Sequence, residues 1–246
     1  MIYFFLAIGA LIAGIVTAMA GGGGIFIITF LMMLEIPIKI VIGTNRVSAC
    51  LDNATSSYNY YKKGKLDTEF FKYAIIPAFL GTVIGSKLLV LLNAKIVERL
   101  IPMILLALVI RMFVNKKAGL ENEFEGFTRK NIIKGIIVTF LMGIYMGFFG
   151  LAIGNFFTLA LVYVLKFDFL KAVATVKPIN FFMGLVSVVI YAMEGIIDWK
   201  IAIFVTAFRV IGSKLGSNYA SEKGAKAVKP IFLLLCVFTV FKEYFL

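Results

Sequence analysis

Two cations stand inside stretches of chain that are otherwise apolar. Arg46 and Lys177 each lie nine residues beyond a residue that opens a helix, Pro37 and Asp168. Nine residues of helix rise ~13 Å, close to the centre of a ~30 Å hydrocarbon core. A charge buried at that depth costs several kcal/mol unless it finds a partner, so it marks a ligand site by default. The ligand these two suit is an anion. Thr44, Asn45, Ser48, Thr175 and Asn180 lie within a turn of them and can donate hydrogen bonds to oxyanion oxygens. The competing assignment is structural: each cation snorkels to its interface, or Arg46 pairs with Asp52. Asp52 itself, in the polar run Asp52–Ser57, either carries a coupling proton or ion or neutralises Arg46. Arg209, ten residues beyond Trp199, is also near mid-depth, and its role stays open between structural pairing and anion contact.

Glycines supply the second half of the chemistry. Gly21, Gly22, Gly23 and Gly24 are consecutive, and Gly150-Leu-Ala-Ile-Gly154 is a looser copy followed by Asn155 and Thr158. Glycine lets backbone N–H groups approach a ligand closely, and the start of a helix favours negative charge. Tight helix packing is the alternative use, yet four glycines in a row exceed what packing needs.

The elements that must position these residues are membrane helices. The chain has 246 residues, 61% hydrophobic and 15% charged, with a mean hydropathy of +1.00. Soluble domains run about 45–50% apolar and roughly a quarter charged. Apolar blocks such as 2–20, 72–86, 100–114, 131–153 and 201–220 do not alternate with polar residues, which excludes a transmembrane barrel. The net charge of +12 sits mostly between these blocks, where it orients a membrane protein; a nucleic-acid partner is not expected. With no histidine and with Cys50 and Cys236 inside apolar helices, no metal, disulfide or other cofactor is expected. Ala18-Met19-Ala20 mimics a signal-peptidase site, but the positive residues that should precede it are missing.

The chain repeats itself. Gly14 and Gly21 pair with Gly143 and Gly150, Thr44-x-Arg46 with Thr175-x-Lys177, and Tyr60-x3-Gly64 with Tyr191-x3-Gly195. Gly85-Ser86-Lys87-Leu88 returns as Gly212-Ser213-Lys214-Leu215. Residues 1–114 and 131–246 are therefore related halves, joined by a cytoplasmic linker at 115–130. Each half reads as a long helix (2–20; 131–149), a glycine break and a short helix (25–34; 155–165). Three longer helices follow, about 38–61, 67–92 and 96–114, then about 168–193, 199–220 and 226–245. The short helix spans about half the core, so the first two segments form a hairpin folded back at the glycines. If it returns to its entry side, the repeats are inverted, and the basic clusters at 62–72, 111–134, 166–171 and 214–229 share one face. The expected fold is all-α and polytopic: two inverted repeats, eight long helices and two short ones.

The ordered set Gly43-Thr44-Asn45, the Tyr-x3-Gly-x-[Leu/Ile]-Asp hairpin at 60–67, and Gly85-Ser86 behind a glycine-rich opening resembles the sulfite exporter TauE/SafE family. The resemblance covers nearly the whole chain. It implies transport of a small sulfur-containing anion, such as sulfite or a sulfonate, across a cell membrane. The expectation is a multi-pass secondary transporter working by alternating access between inverted halves, not an enzyme. No ATP-binding motif is present, so a gradient must drive it. A passive anion channel and an integral-membrane enzyme are the alternatives. The partners implied are the small anion and the lipid bilayer, with a homodimer left open.

Overall fold

The computed structural model describes residues 2–32, 34–91, 121–148, 150, 153–224 and 230. The helices expected at 96–114 and 226–245, and the first part of the linker, lie outside the described residues. Within them the chain is all-helical: α1 (Ile2–Ala20), α2 (Gly24–Met32), α3 (Ile38–Lys62), α4 (Thr68–Leu91), α5 (Arg129–Phe148), α6 (Ile153–Ala160), α7 (Phe169–Met193) and α8 (Trp199–Lys223). α6 runs on into a π-helical turn, Leu161–Leu165, that the apolar pattern did not announce.

Local chemistry sets the boundaries. Asp67, Asp168 and Asp198 cap α4, α7 and α8, accepting from the N–H groups of Phe70 (2.9 Å), Lys171 (2.9 Å) and Ile201 (3.1 Å). Glu35 and Lys166 occupy equivalent places before α3 and α7, and both take the left-handed conformation, φ 58° and 63°. Among the described residues four helices, α1, α4, α5 and α7, are long and apolar enough to cross a membrane. α3 and α8 are as long, at 25 residues each, but more polar. Their polar faces meet each other: Ser56 and Ser213 hydroxyls lie 3.0 Å apart, and Asn59 donates to Ser217 at 2.9 Å. Large apolar side chains such as Phe79, Leu80, Ile84, Ile203 and Ile211 point outward, as lipid contact requires.

Small residues bring the helices close. A β-carbon at Gly212 would strike the Leu11 carbonyl and one at Gly216 the Ile15 carbonyl, so α1 and α8 run side by side in the same sense. Gly81 lies against Phe140 and Gly85 against Ile144, giving α4 and α5 the same parallel arrangement. α3 and α7 run in opposite senses, because Thr44 near the start of α3 meets Asp198 beyond the end of α7, and Thr175 near the start of α7 meets Asp67 beyond the end of α3. Between these contacts Cys50 Sγ approaches the Phe181 carbonyl at 3.5 Å. α2 returns along α1: Gly23 abuts Ala13 and Thr17, and the Phe30 ring reaches Gly9. The short helix thus folds back at the glycines, as its length requires.

The described part of the linker is less idle than its polarity suggests. Glu123 N–H donates to the Lys166 carbonyl at 3.0 Å. The Phe124 ring stacks edge-on to Phe127 (4.9 Å) and to Phe167 (4.7 Å), which in turn meets Phe70.

Candidate anion site at the two glycine breaks

The two breaks touch. A β-carbon on Gly21 would stand 2.6 Å from the Gly154 carbonyl carbon, and one on Gly22 would stand 2.7 Å from the Asn155 amide. Gly21 (φ 80°) and its counterpart Gly150 (φ 65°) both need the left-handed region, which is why glycine opens each break. Beside them lies a cavity of about 40 Å³, lined by Thr17, Gly22, Gly24, Asn45, Arg46, Ala49, Asn53, Met146, Gly150, Ile153, Gly154, Asn180 and Arg209. At ~10–15 Å³ per water it admits only a few waters or one small ion.

Two guanidinium groups form its charged wall. Arg46, 4% exposed, donates to the Met146 carbonyl at 2.6 Å and approaches the Met146 sulfur at 2.7 Å. Its plane lies against Gly150 and 6.0 Å from the Tyr191 ring. Arg209 donates through Nε to Asp52. Its remaining nitrogens donate to Asn45 Oδ1 (2.8 Å), Ser48 Oγ (3.1 Å) and Thr17 Oγ1 (3.2 Å). Asn53 donates to the Ala49 carbonyl, while the buried side-chain oxygens of Asn53 and Asn180 have no hydrogen-bond partner among the described residues.

Not every expected residue converges. Asp52 pairs with Arg209, not with Arg46; α3 presents it on the face that packs against α8, one turn from Ser56. Lys177 does not line the cavity. Arg46 lies four residues before Cys50, and Lys177 four before Phe181, on oppositely directed helices that cross at those two residues. Their backbones are therefore displaced by roughly 12 Å along the bundle and not brought to one level. Lys177 instead donates to the Thr17 carbonyl in the last turn of α1. Thr44 and Thr175 face away from the cavity: their hydroxyls accept from the N–H groups of Asp198 (3.0 Å) and Asp67 (3.1 Å), each tying down a turn of the other half. Ser48 touches the site through Arg209, and Gly23 is packed against the Ala13 carbonyl and Thr17.

Thr17, Ala49, Asn53, Met146 and Ile153 were missed. Thr17 and Asn53 were visible as polar residues inside helices; Met146 enters through its carbonyl, which no sequence pattern marks.

With that geometry in hand, the comparisons decide the family. The family model for the sulfite exporter TauE/SafE matches residues 6–242. The chain belongs to that family. It is 28% identical, over 91% of its length and 87% of the relative's, to a probable membrane transporter protein of Haemophilus influenzae. It is 26% identical to the probable membrane transporter protein ORF9 of a Sinorhizobium species (95% and 88% covered). It is 24% identical to the Escherichia coli K12 probable membrane transporter protein YfcA (95% and 85% covered). No solved structure matches the chain significantly. This TauE/SafE member is thus a multi-pass membrane protein of a transporter family, and the enzyme alternative is set aside.

Proposed function

We propose that the chain is a secondary transporter that carries a small sulfur oxyanion, sulfite in the first instance, through the cavity between its glycine breaks by alternating access. The observation that carries this reading is the wall itself: two buried guanidinium groups, Arg46 and Arg209, face one small cavity together with the amides of Asn45, Asn53 and Asn180. Among the described residues, the buried charged side chains are Arg46, Lys177 and Arg209, which are positive, and Asp52, which is negative, an excess of 3 − 1 = 2 positive charges. At low dielectric such an excess attracts an anion strongly.

Helix directions support an inverted arrangement of the halves. α1 runs with α8, α8 reverses α7, and α7 opposes α3, so α3 runs with α1. α4 reverses α3 and α5 runs with α4, so α5 runs against its counterpart α1. A fixed central site between inverted halves that rock against each other is the usual geometry of alternating access.

Asn180 offers the cleanest test, because it lines the cavity and its side-chain oxygen has no hydrogen-bond partner among the described residues. Asn180→Leu fills the cavity and removes an amide without breaking a structural contact. Purified wild type should bind sulfite, and the variant should melt at a similar temperature yet lose most of its affinity. Wild-type affinity in the variant would move the substrate elsewhere.

A further inference from the structure

The sequence left a coupling role open at Asp52, but its carboxylate is bonded to Arg209, a group that stays protonated in proteins. Lys177 is placed differently. It is buried at 1% exposure, it does not line the anion cavity, and it makes no ion pair within 4 Å among the described residues. Its ammonium group donates to the Thr17 carbonyl. That carbonyl also accepts from Gly21 N–H at 2.9 Å, and the Thr17 hydroxyl accepts from Arg209 at 3.2 Å. One residue therefore joins Lys177, the glycine break of α1 and a cation of the cavity wall.

The repeat makes the contrast sharp. Met146 is the counterpart of Thr17, and Arg46 the counterpart of Lys177; each cation donates to the last turn of the first helix in the opposite half. Cations at helix C-termini are stabilising because the carbonyl ends carry partial negative charge. In one half the cation is an arginine, which keeps its proton; in the other it is a lysine, which can give its proton up. The two otherwise equivalent contacts differ in whether they titrate.

We propose that Lys177 is the proton-coupling site: its protonated form holds the last turn of α1 and the adjoining glycine break, and loss of the proton releases them. Other elements packed against α7 bring few rivals. α1 and α6 carry no charge; α3 contributes the buried Arg46 and Asp52 and the Cys50 thiol, with Lys39 and Lys62 at its ends. The neighbouring α8 contributes the buried Arg209, its Lys200, Lys214, Glu222 and Lys223 being exposed. Glu69, Lys72 and Lys87 on α4 are exposed, and Arg129, Lys130 and Lys134 sit at the outer start of α5. A proton on Lys177 and an anion beside Arg209 attract one another through a shared residue, so the two bind cooperatively and cross together.

This inference rests on the anion reading, and its test separates the two. Sulfite binding and pH-gradient-driven sulfite accumulation are measured for wild type and Lys177→Arg in proteoliposomes. Sulfite itself titrates near neutrality, so the informative quantity is the difference between two proteins facing the same ligand. The variant should bind sulfite but lose the accumulation that an inward proton gradient adds in wild type. Lys177→Met, neutral at every pH, gives a second folded candidate and should lose the same response. Gradient-driven accumulation equal to wild type in either variant overturns the proposal, as does a wild type that ignores the gradient. A wild type that binds no sulfite removes the anion reading first.

Discussion

The guanidinium of Arg46 donates to the backbone carbonyl of Met146 at 2.6 Å, from one half of the chain to the last turn of a helix in the other. That contact serves two purposes. It satisfies a carbonyl that the end of α5 leaves without an intrahelical donor, and it fixes the guanidinium against Gly150 at the rim of the cavity. On the proposed anion reading, a charge held this way is oriented before the ligand arrives, which reduces the ordering cost of binding.

Asp52 and Arg209 are a buried pair, 0% and 1% exposed at the side chain, so breaking it from one side is severe. Asp52→Asn should destabilise the protein by about 3–5 kcal/mol, because it leaves Arg209 uncompensated. Arg209→Met combined with Asp52→Asn should recover much of that loss, while Arg46→Met combined with Asp52→Asn should not. Thermal unfolding in detergent distinguishes the pairings.

Thr44 and Thr175 tie turns rather than ligand. Thr44→Val and Thr175→Val should each lower stability by roughly 0.5–1.5 kcal/mol, the net worth of an ordinary hydrogen bond. Sulfite affinity should stay at the wild-type value. A loss of affinity with stability unchanged would return these hydroxyls to the site.

The glycine break separates into tolerant and intolerant positions. A β-carbon at Gly23 would strike the Ala13 carbonyl and be 2.9 Å from Thr17 N, both backbone, so Gly23→Leu should fail to fold. At Gly22 the obstacle is the end of the Asn155 side chain rather than backbone, together with a φ of 73° that costs an alanine about 1–2 kcal/mol. Gly22→Ala should therefore insert and fold but transport poorly. Size-exclusion profiles and sulfite uptake, measured on the same preparations, check both.

Topology follows from contacts that gather one end of the bundle. Lys171 binds Asp67 at 2.8 Å, Lys63 approaches Glu222 at 3.6 Å, and Glu123 meets Lys166, so these described members of the basic clusters gather at one end. That end should be cytoplasmic. Accessibility tags in 115–130 should report inside, and tags at residue 1, residue 246 and the 194–198 turn should report outside.

The described helices were legible because membrane burial writes long apolar runs and the halves repeat their glycines in order. The break residues were legible because four glycines have few other uses. What sequence could not resolve was which helix faces which. Asp52 lies six residues after Arg46 and 157 before Arg209, so a search along one helix favours the wrong partner. Depth counted from helix starts placed Arg46 and Lys177 alike, but antiparallel crossing at Cys50 and Phe181 sets them on opposite sides of the centre. Of the residues that line the cavity, Gly22, Gly24, Asn45, Arg46, Gly150, Gly154, Asn180 and Arg209 were expected from sequence, with the role of Arg209 left open, whereas Lys177 was expected there and lies elsewhere.

The central claim is that a small sulfur anion is carried by alternating exposure of one site, and sulfite counterflow in proteoliposomes tests it most directly. Vesicles loaded with unlabelled sulfite should take up labelled sulfite faster than empty vesicles, transiently exceed equilibrium, and lose that overshoot in Asn180→Leu. Uptake that is indifferent to internal sulfite and does not saturate would contradict the account and identify a passive pore.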